Sequence, residues 1–489
     1  MPITPYFPTL RSRLAALGRR TAQTLRQTTL SQLQEHLRDL LPVPLLSAED
    51  EGPSSRDRIY SLRLTCECFL WQMLKPRTSC REVVRQVQAL FRLHGRGHVD
   101  EGDSAYVQAR HRLPRERLEK ALVATAQAAD RRVGSVGQLQ GRPVKVADGS
   151  TTQLPDTAEN QERYPQPASQ KKGCGFPVMK LVALFSLTSG AILNVILGSL
   201  RHHDLRLLRG LWEQLKKGDI LLGDRAFGEY TTLAGLPTQG VDVVARLHHR
   251  RKVDFRKARR LSHGEGLFVW TKGCQQSEIL SASEWALLPA QITVRILRFI
   301  TTIRGFRSRR ITLVTTLLDP KLYPAQELVG LYARRWRLEL CFRDLKTTMG
   351  MEQLSCHSPK MVEKELLVFL TAYNLLRWLM AQAARPEGVS LERLSFKGTL
   401  DAFRQWSLAA AQLGRSPRRN AKRQRLWKRL LYILAADLVP ERPGRREPRA
   451  VKKPKKYPHL NCPRHQFRDP RKSNLRKSLR LARRRQSLI

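Results

Sequence analysis

Tyr332, Arg335, Glu339 and Lys346 are spaced so that, at about 100° per residue of helix, they point within roughly 60° of one another. Leu331, Leu338, Phe342, Leu345 and Met349 make an apolar stripe beside them that can bury itself in a core. One carboxylate flanked by two cations and a phenol suits a metal-binding acid that works on a phosphate. Read alone, the same pattern is also that of an amphipathic helix with a charged outer face. Asp148 and Asp224 upstream change the reading, because each follows a short run of strand-forming residues, Val144-Lys-Val-Ala and Ile220-Leu-Leu-Gly. Three carboxylates from two strand ends and one helix form a site for hard divalent cations, Mg²⁺ or Mn²⁺, which prefer oxygen ligands. Two such ions can activate an attacking hydroxyl and steady the leaving oxygen at phosphorus. Arg225, next to Asp224, either approaches a phosphate or anchors its strand end.

The overall charge points to the same partner. The chain has 489 residues, with 88 Lys+Arg against 42 Asp+Glu, a formal net charge of +46. Such an excess is the footprint of a polyanion binder, with nucleic acid first among candidates. A hydrophobic content of 41% excludes a disordered basic protein. Eight scattered cysteines lack metal-ligand spacing or a disulfide framework, which fits a reducing interior, and Cys66-x-Cys68 reads as two buried thiols on one helix. The N-terminal segment carries no signal-peptide pattern, so export is not expected. Leu181–Leu200 is free of charge over twenty positions, yet Ser186-Leu-Thr-Ser-Gly190 divides it into two strand-like runs, predicting a buried hairpin rather than a membrane span.

These residues need a scaffold, and the pattern predicts an α/β fold: an RNase H-like catalytic core interrupted by a β-rich insertion, with a helical N-terminal region and a basic C-terminal tail. The expected organisation is a helical, DNA-binding region at 1–140, core at 141–247, insertion at 248–325, core again at 326–385, a helical region at 386–439 and a tail at 440–489. Helices are predicted through Leu30–Leu41, Cys66–Leu74, Arg81–Leu93 behind Ser79, and Val362–Met380. Asp204 is expected to cap a helix running to Leu215, beside exposed His202 and His203. In the insertion, Ile292–Ile300 and Arg310–Leu318 read as strands joined by a cationic turn at Arg304–Arg310, and His248–Arg251 reads as a solvated basic turn. Trp336 is expected in the core. The tail holds 18 Lys+Arg against three acids, which predicts a mobile arm along phosphate, although Lys452–Lys456 would also pass as a nuclear-import patch.

With these residues in place, the chain resembles the insertion-sequence-four family of DDE transposases. The family signature Y-x2-R-x3-E-x6-K is matched by Tyr332, Arg335, Glu339 and Lys346, and the Asp148-Gly-Ser-Thr and Asp224-Arg-x-Phe elements are also similar. The resemblance covers about residues 60–380. It implies that Asp148, Asp224 and Glu339 hold two Mg²⁺ ions, with Mn²⁺ as a substitute. Tyr332 and Arg335 would grip phosphates near the transposon end, and Lys346 would contact the terminal phosphates. It further implies double-stranded DNA partners (inverted-repeat ends and target), a synapsed homodimer, no membrane, and residence on DNA in a bacterial cytoplasm. Some relatives stack a flipped base on a Trp of the insertion; here Trp270, Trp285 and Phe306 are the candidates. A stand-alone nuclease and a non-catalytic DNA-binding protein are the alternatives.

Overall fold

The structure, a computed structural model, describes residues 59–440 apart from 76–77, 94–97, 249–250, 278, 301–309, 385 and 412–416. The Leu30–Leu41 helix, the 440–489 tail with Lys452–Lys456, most of the Arg304–Arg310 turn, part of the His248–Arg251 turn and Phe306 therefore lie outside the described residues.

Four helices come first: α1 (Leu62–Leu74), α2 (Cys80–Leu93), α3 (Ser104–Arg112) and α4 (Arg115–Val133). Ser61 and Ser79 accept backbone N–H groups at the starts of α1 and α2, the capping role that Ser favours. Cys66 and Cys68 are buried on α1, and burial pushes both thiols up.

Then the pattern changes period from 3.6 to 2. Strand β1 (Val144–Gln153), helix α5 (Ala158–Arg163), β2 (Val178–Ser186) and β3 (Ile192–Ser199) are followed by α6 (Asp204–Arg209), β4 (Ile220–Gly223), α7 (Tyr230–Thr238) and β5 (Asp242–Arg246). The uncharged 181–200 stretch is thus an antiparallel hairpin, its strands paired from Met179↔Ser199 to Phe185↔Ile192. After β5 come β6 (Arg259–Ser262), β7 (Glu265–Thr271), α8 (Ala282–Leu287), β8 (Gln291–Ile300) and β9 (Arg310–Thr315). All nine strands form one sheet, in the order β3-β2-β1-β4-β5-β9-β8-β7-β6. β1 is antiparallel to β2 and parallel to β4, β4 is parallel to β5, and the remaining pairs are antiparallel.

The remaining helices are α9 (Ala325–Arg334), α10 (Arg337–Arg343), α11 (Pro359–Ala384), α12 (Phe396–Ala411) and α13 (Pro417–Ala436). Alternation along the strands sends Val146, Leu222, Val244 and Leu313 to one face, where α1 to α4 and α9 to α13 build the larger core. Ala147, Leu221, Val243 and Val314 face the other core, with α6 and α7. Helix α11 packs against α1, α4, α12 and α13, and α4 against β3. It is long and apolar enough to cross a membrane, and 89% of its apolar window is buried inside the protein.

Two local expectations change. The helix after β3 ends at Arg209 rather than Leu215, and its cap is His203, whose side chain accepts from Leu205 N–H. Asp204 is instead paired with Lys180, Nζ to Oδ1 2.6 Å. Trp336 is 41% exposed rather than in the core, because the chain turns there between α9 and α10.

Candidate functional site at the carboxyl ends of three parallel strands

β1, β4 and β5 run side by side with Val146, Leu222 and Val244 in register. Two residues further along each strand stand Asp148, Asp224 and Arg246. Two residues return a strand to the same face, and parallel neighbours lie about 4.8 Å apart, so the register puts Asp148 and Arg246 on one face while Asp224 follows directly after the last residue of β4 between them. Asp148 differs here from expectation. It is a mid-strand residue, since β1 continues to Gln153 paired with β2. What ends near it is β4, at Gly223, which leaves β1 unpaired on that side from Ala147 until Gln153 bridges Gln353.

The loop after β4 folds back tightly. Asp224 Oδ1 accepts Ala226 N–H at 2.8 Å, and a Cβ on Gly228 would meet the Arg246 carbonyl oxygen at 2.9 Å, so only glycine permits that approach. Arg225 is presented from this loop, and its Nε is buried without a hydrogen-bond partner among the described residues.

The signature segment is not one even helix. At Arg335 and Trp336 the chain tightens: Arg335, Leu338 and Glu339 N–H groups donate to carbonyls three residues back, at 3.1, 3.0 and 3.2 Å. From Asp344 to Thr348 it widens into a π turn. The apolar stripe is nevertheless buried throughout, at Leu331, Leu338, Phe342, Leu345 and Met349. Phe342 meets Phe185 of β2 edge-to-face, ring centroids 5.2 Å apart, which seats α10 over the strands. Glu339 is thereby held at the exposed rim.

Arg335 is the hub of the cluster. Its Nη1 lies 3.8 Å from Asp148 Oδ2, and its guanidinium stacks by Tyr332, 5.6 Å from the ring centroid. Tyr332 is buried and its hydroxyl is pushed up by burial, offset by Arg335 and Arg246. Asp148 is raised to about 6, chiefly by burial; Arg335 and the Gly149 N–H oppose this, while Asp224 and Glu339 reinforce it. Burial also raises Glu339, against Arg335. Asp148, Asp224, Glu339, Tyr332 and Arg335 therefore share one neighbourhood. Lys346 is drawn elsewhere: burial lowers its ammonium and Glu352 is the charge acting on it. The π turn, with more residues per turn, rotates Lys346 away from the azimuth of a regular helix. Arg246 was missed from sequence; it is lowered by burial and by Arg225 and Arg335, so three guanidinium groups converge beside the acids.

The oxygen donors suit a hard divalent cation, which would offset both the burial that chiefly raises Asp148 and the smaller repulsion from Asp224 and Glu339. The cluster is open rather than drawn into one shell: among the described residues no three His, Cys, Asp or Glu side chains gather closely enough to hold an ion, and Arg335 stands against Asp148. Trp270 and Trp285 do not reach this face. Trp270 is buried in the opposite core under Arg251, and Trp285 packs against the same core.

Comparison with known proteins points to transposases. Residues 139–375 match the family described as transposase DDE domain. The transposase InsG for insertion sequence element IS4 of Escherichia coli is 27% identical over 431 residues, covering 86% of this chain and 93% of that one. A probable transposase for insertion sequence element IS5377 of Geobacillus stearothermophilus is 32% identical over 93 residues, which are 19% of this chain and 24% of that one. A synaptic complex of piggyBac transposase with hairpin DNA aligns over 87% of this chain and 86% of that one, with a TM-score of 0.41 and 9% identity, too distant a likeness to carry weight. The matched domain spans β1 to α11, strand row and signature helix included, and over most of its length the chain is similar to an insertion-sequence transposase.

Proposed function

We propose that this chain is an insertion-sequence transposase that cuts DNA at the transposon ends and joins the freed 3′-hydroxyls to target DNA, with Asp148, Asp224 and Glu339 as the catalytic acids. The observation that carries the assignment is the row of Asp148, Asp224 and Arg246, with Arg335 bridging it to the Glu339 helix. In an open α/β sheet, ligands bind beyond the carboxyl ends of parallel strands, where Asp224 and Arg246 stand, with mid-strand Asp148 beside them. Strands β1 to β5, in the order 3-2-1-4-5, support an RNase H-like core, with segment 248–325 as its insertion, 1–140 as the DNA-binding region and 440–489 as a phosphate-binding arm.

The three carboxylates would hold two Mg²⁺ ions, or Mn²⁺ in their place. When bound, the ions supply a more nucleophilic hydroxyl and charge stabilisation at phosphorus. Arg335, Arg225 and Arg246 press on one another beside the acids, an arrangement that a phosphate diester neutralises. In this reading Arg335, which stands against Asp148, would bind the phosphate once Asp148 served as a metal ligand. Tyr332 braces Arg335 from its buried position, and Lys346 contacts phosphates further along the end. Work on both ends calls for a homodimer in the synaptic complex, on DNA in the bacterial cytoplasm.

Strand transfer with pre-cut ends tests the assignment. Glu339→Gln is expected to lower Mg²⁺-dependent cleavage and joining by at least about 100-fold, the usual scale for losing a charge stabiliser, while end binding is retained. Unchanged cutting by this variant would remove Glu339 from the chemistry. Cleavage without joined product in the wild type would favour a nuclease.

A further inference from the structure

A second concave site lies away from the acids. β1 leads from Asp148 to Gln153, roughly 17 Å at about 3.3 Å per residue, and the chain continues to Thr157 at the mouth of a cleft of about 660 Å³. Arg110, near the end of α3, reaches into it. This residue is only 7% exposed, and its Nε has no hydrogen-bond partner among the described residues. The guanidinium is held in place by Phe69 and Tyr106, 4.9 and 5.3 Å from their ring centroids. Glu365, the carboxylate acting on it, is already committed: it accepts Ser355 N–H, Ser355 Oγ–H at 2.6 Å and Cys356 N–H at 2.8 Å.

Two long helices begin at the same cleft. Ser79 and Cys80 open α2, and Ser358 precedes α11, so the positive ends of two helix dipoles face the Arg110 cavity. His111 and His357 also line it. His111 is held below its usual value by burial, Lys364 and Arg110. Among the lining residues one acid, Glu159, opposes this positive field. A buried guanidinium with a spare donor, between two helix N-termini, asks for an anion with several oxygens. Phosphate matches the guanidinium fork, and the cleft has the volume of a small-molecule site.

We propose that this cleft is a phosphate-ester site, distinct from the acidic centre, in which Arg110 anchors a nucleotide phosphate belonging either to a DNA strand or to a free nucleotide. It needs no metal and none of the three acids. Occupation would tie α2 and α3 to the start of α11, so the ligand fastens the N-terminal helices to the sheet-bearing half.

Calorimetric titration of the full chain with inorganic phosphate, dAMP and a short random duplex tests it. Ser79→Asp places a negative charge at the cleft yet keeps a good cap for α2. It is expected to weaken binding of at least one of the three by about tenfold or more with melting temperature unchanged. In the wild type alone, loading is expected to raise the His111 titration midpoint read by NMR. Arg110→Met is expected to act likewise; if it fails to fold, Ser79→Asp decides. Loss confined to the duplex assigns the site to a DNA strand, and loss confined to phosphate or dAMP assigns it to a free ligand. Wild-type affinity for all three in Ser79→Asp overturns the proposal.

Discussion

Arg246 shows how a side chain acquires a role from its register. It ends β5, one residue past the Gly223↔Ala245 pair, which sets it beside Asp224 and opposite Arg225 and Arg335. Clustered cations destabilise the folded chain and favour an incoming phosphate. Arg246→Met is therefore expected to leave melting temperature equal or higher, while end-binding affinity drops and the salt slope of log K shrinks by about one. Full affinity with an unaltered slope would show that Arg246 makes no phosphate contact. Asp148 and Asp224 were legible in sequence only through their order ahead of the Tyr332-to-Lys346 spacing, since an acid after a short apolar run is by itself an ordinary turn former. Arg246 did not stand out, since one arginine among 88 basic residues carries no signal until strand pairing is known.

Elements explain what positions these side chains, and one buried residue joins two of them. Arg295 on β8 is fully buried; its Nε donates to Glu265 of β7 at 2.7 Å and its Nη1 to the Tyr323 carbonyl at 2.7 Å, just before α9. Arg295→Met would strand the Glu265 charge and that carbonyl. The expected loss is about 3–5 kcal/mol of unfolding free energy by denaturant titration, and a loss near zero would mean the pair is replaceable. Glu229, which precedes α7 after the Asp224 loop without a side-chain cap bond, offers a pH test. Burial raises it to about 7, against Thr232 and Arg251, while its unfolded value stays near 4.5. Its contribution is complete below about pH 4.5 and lost as pH rises through about 7. Glu229→Gln is expected to flatten the melting-temperature profile over that window; an unchanged profile would rule Glu229 out as its source. Strand positions were legible because short apolar runs, alternating in β1 and continuous in β2 and β4, are separated by turn residues. The joint at Arg335 and Trp336 and the π turn were not, because their residues are ordinary helix formers and tertiary packing, with Leu338 and Phe342 pulled into the core, sets the local pitch.

For the whole molecule, charge governs how DNA is met. A net +46 spread over one chain implies many phosphate contacts at once. Binding to random duplex is expected to weaken by about a thousandfold or more between 50 and 200 mM salt, as for proteins that neutralise six or more phosphates. A shallow dependence in fluorescence anisotropy would mean that few of these cations reach DNA. The continuous sheet has a mechanical corollary. Because β5 is stitched to β9 by Val244↔Thr315 through Arg246↔Leu313, the outer four strands cannot hinge independently of the strands bearing Asp148 and Asp224. A tug on the outermost ribbon by a bent duplex would be felt as torsion at the acids, so grip on the periphery and alignment at the centre form one lever.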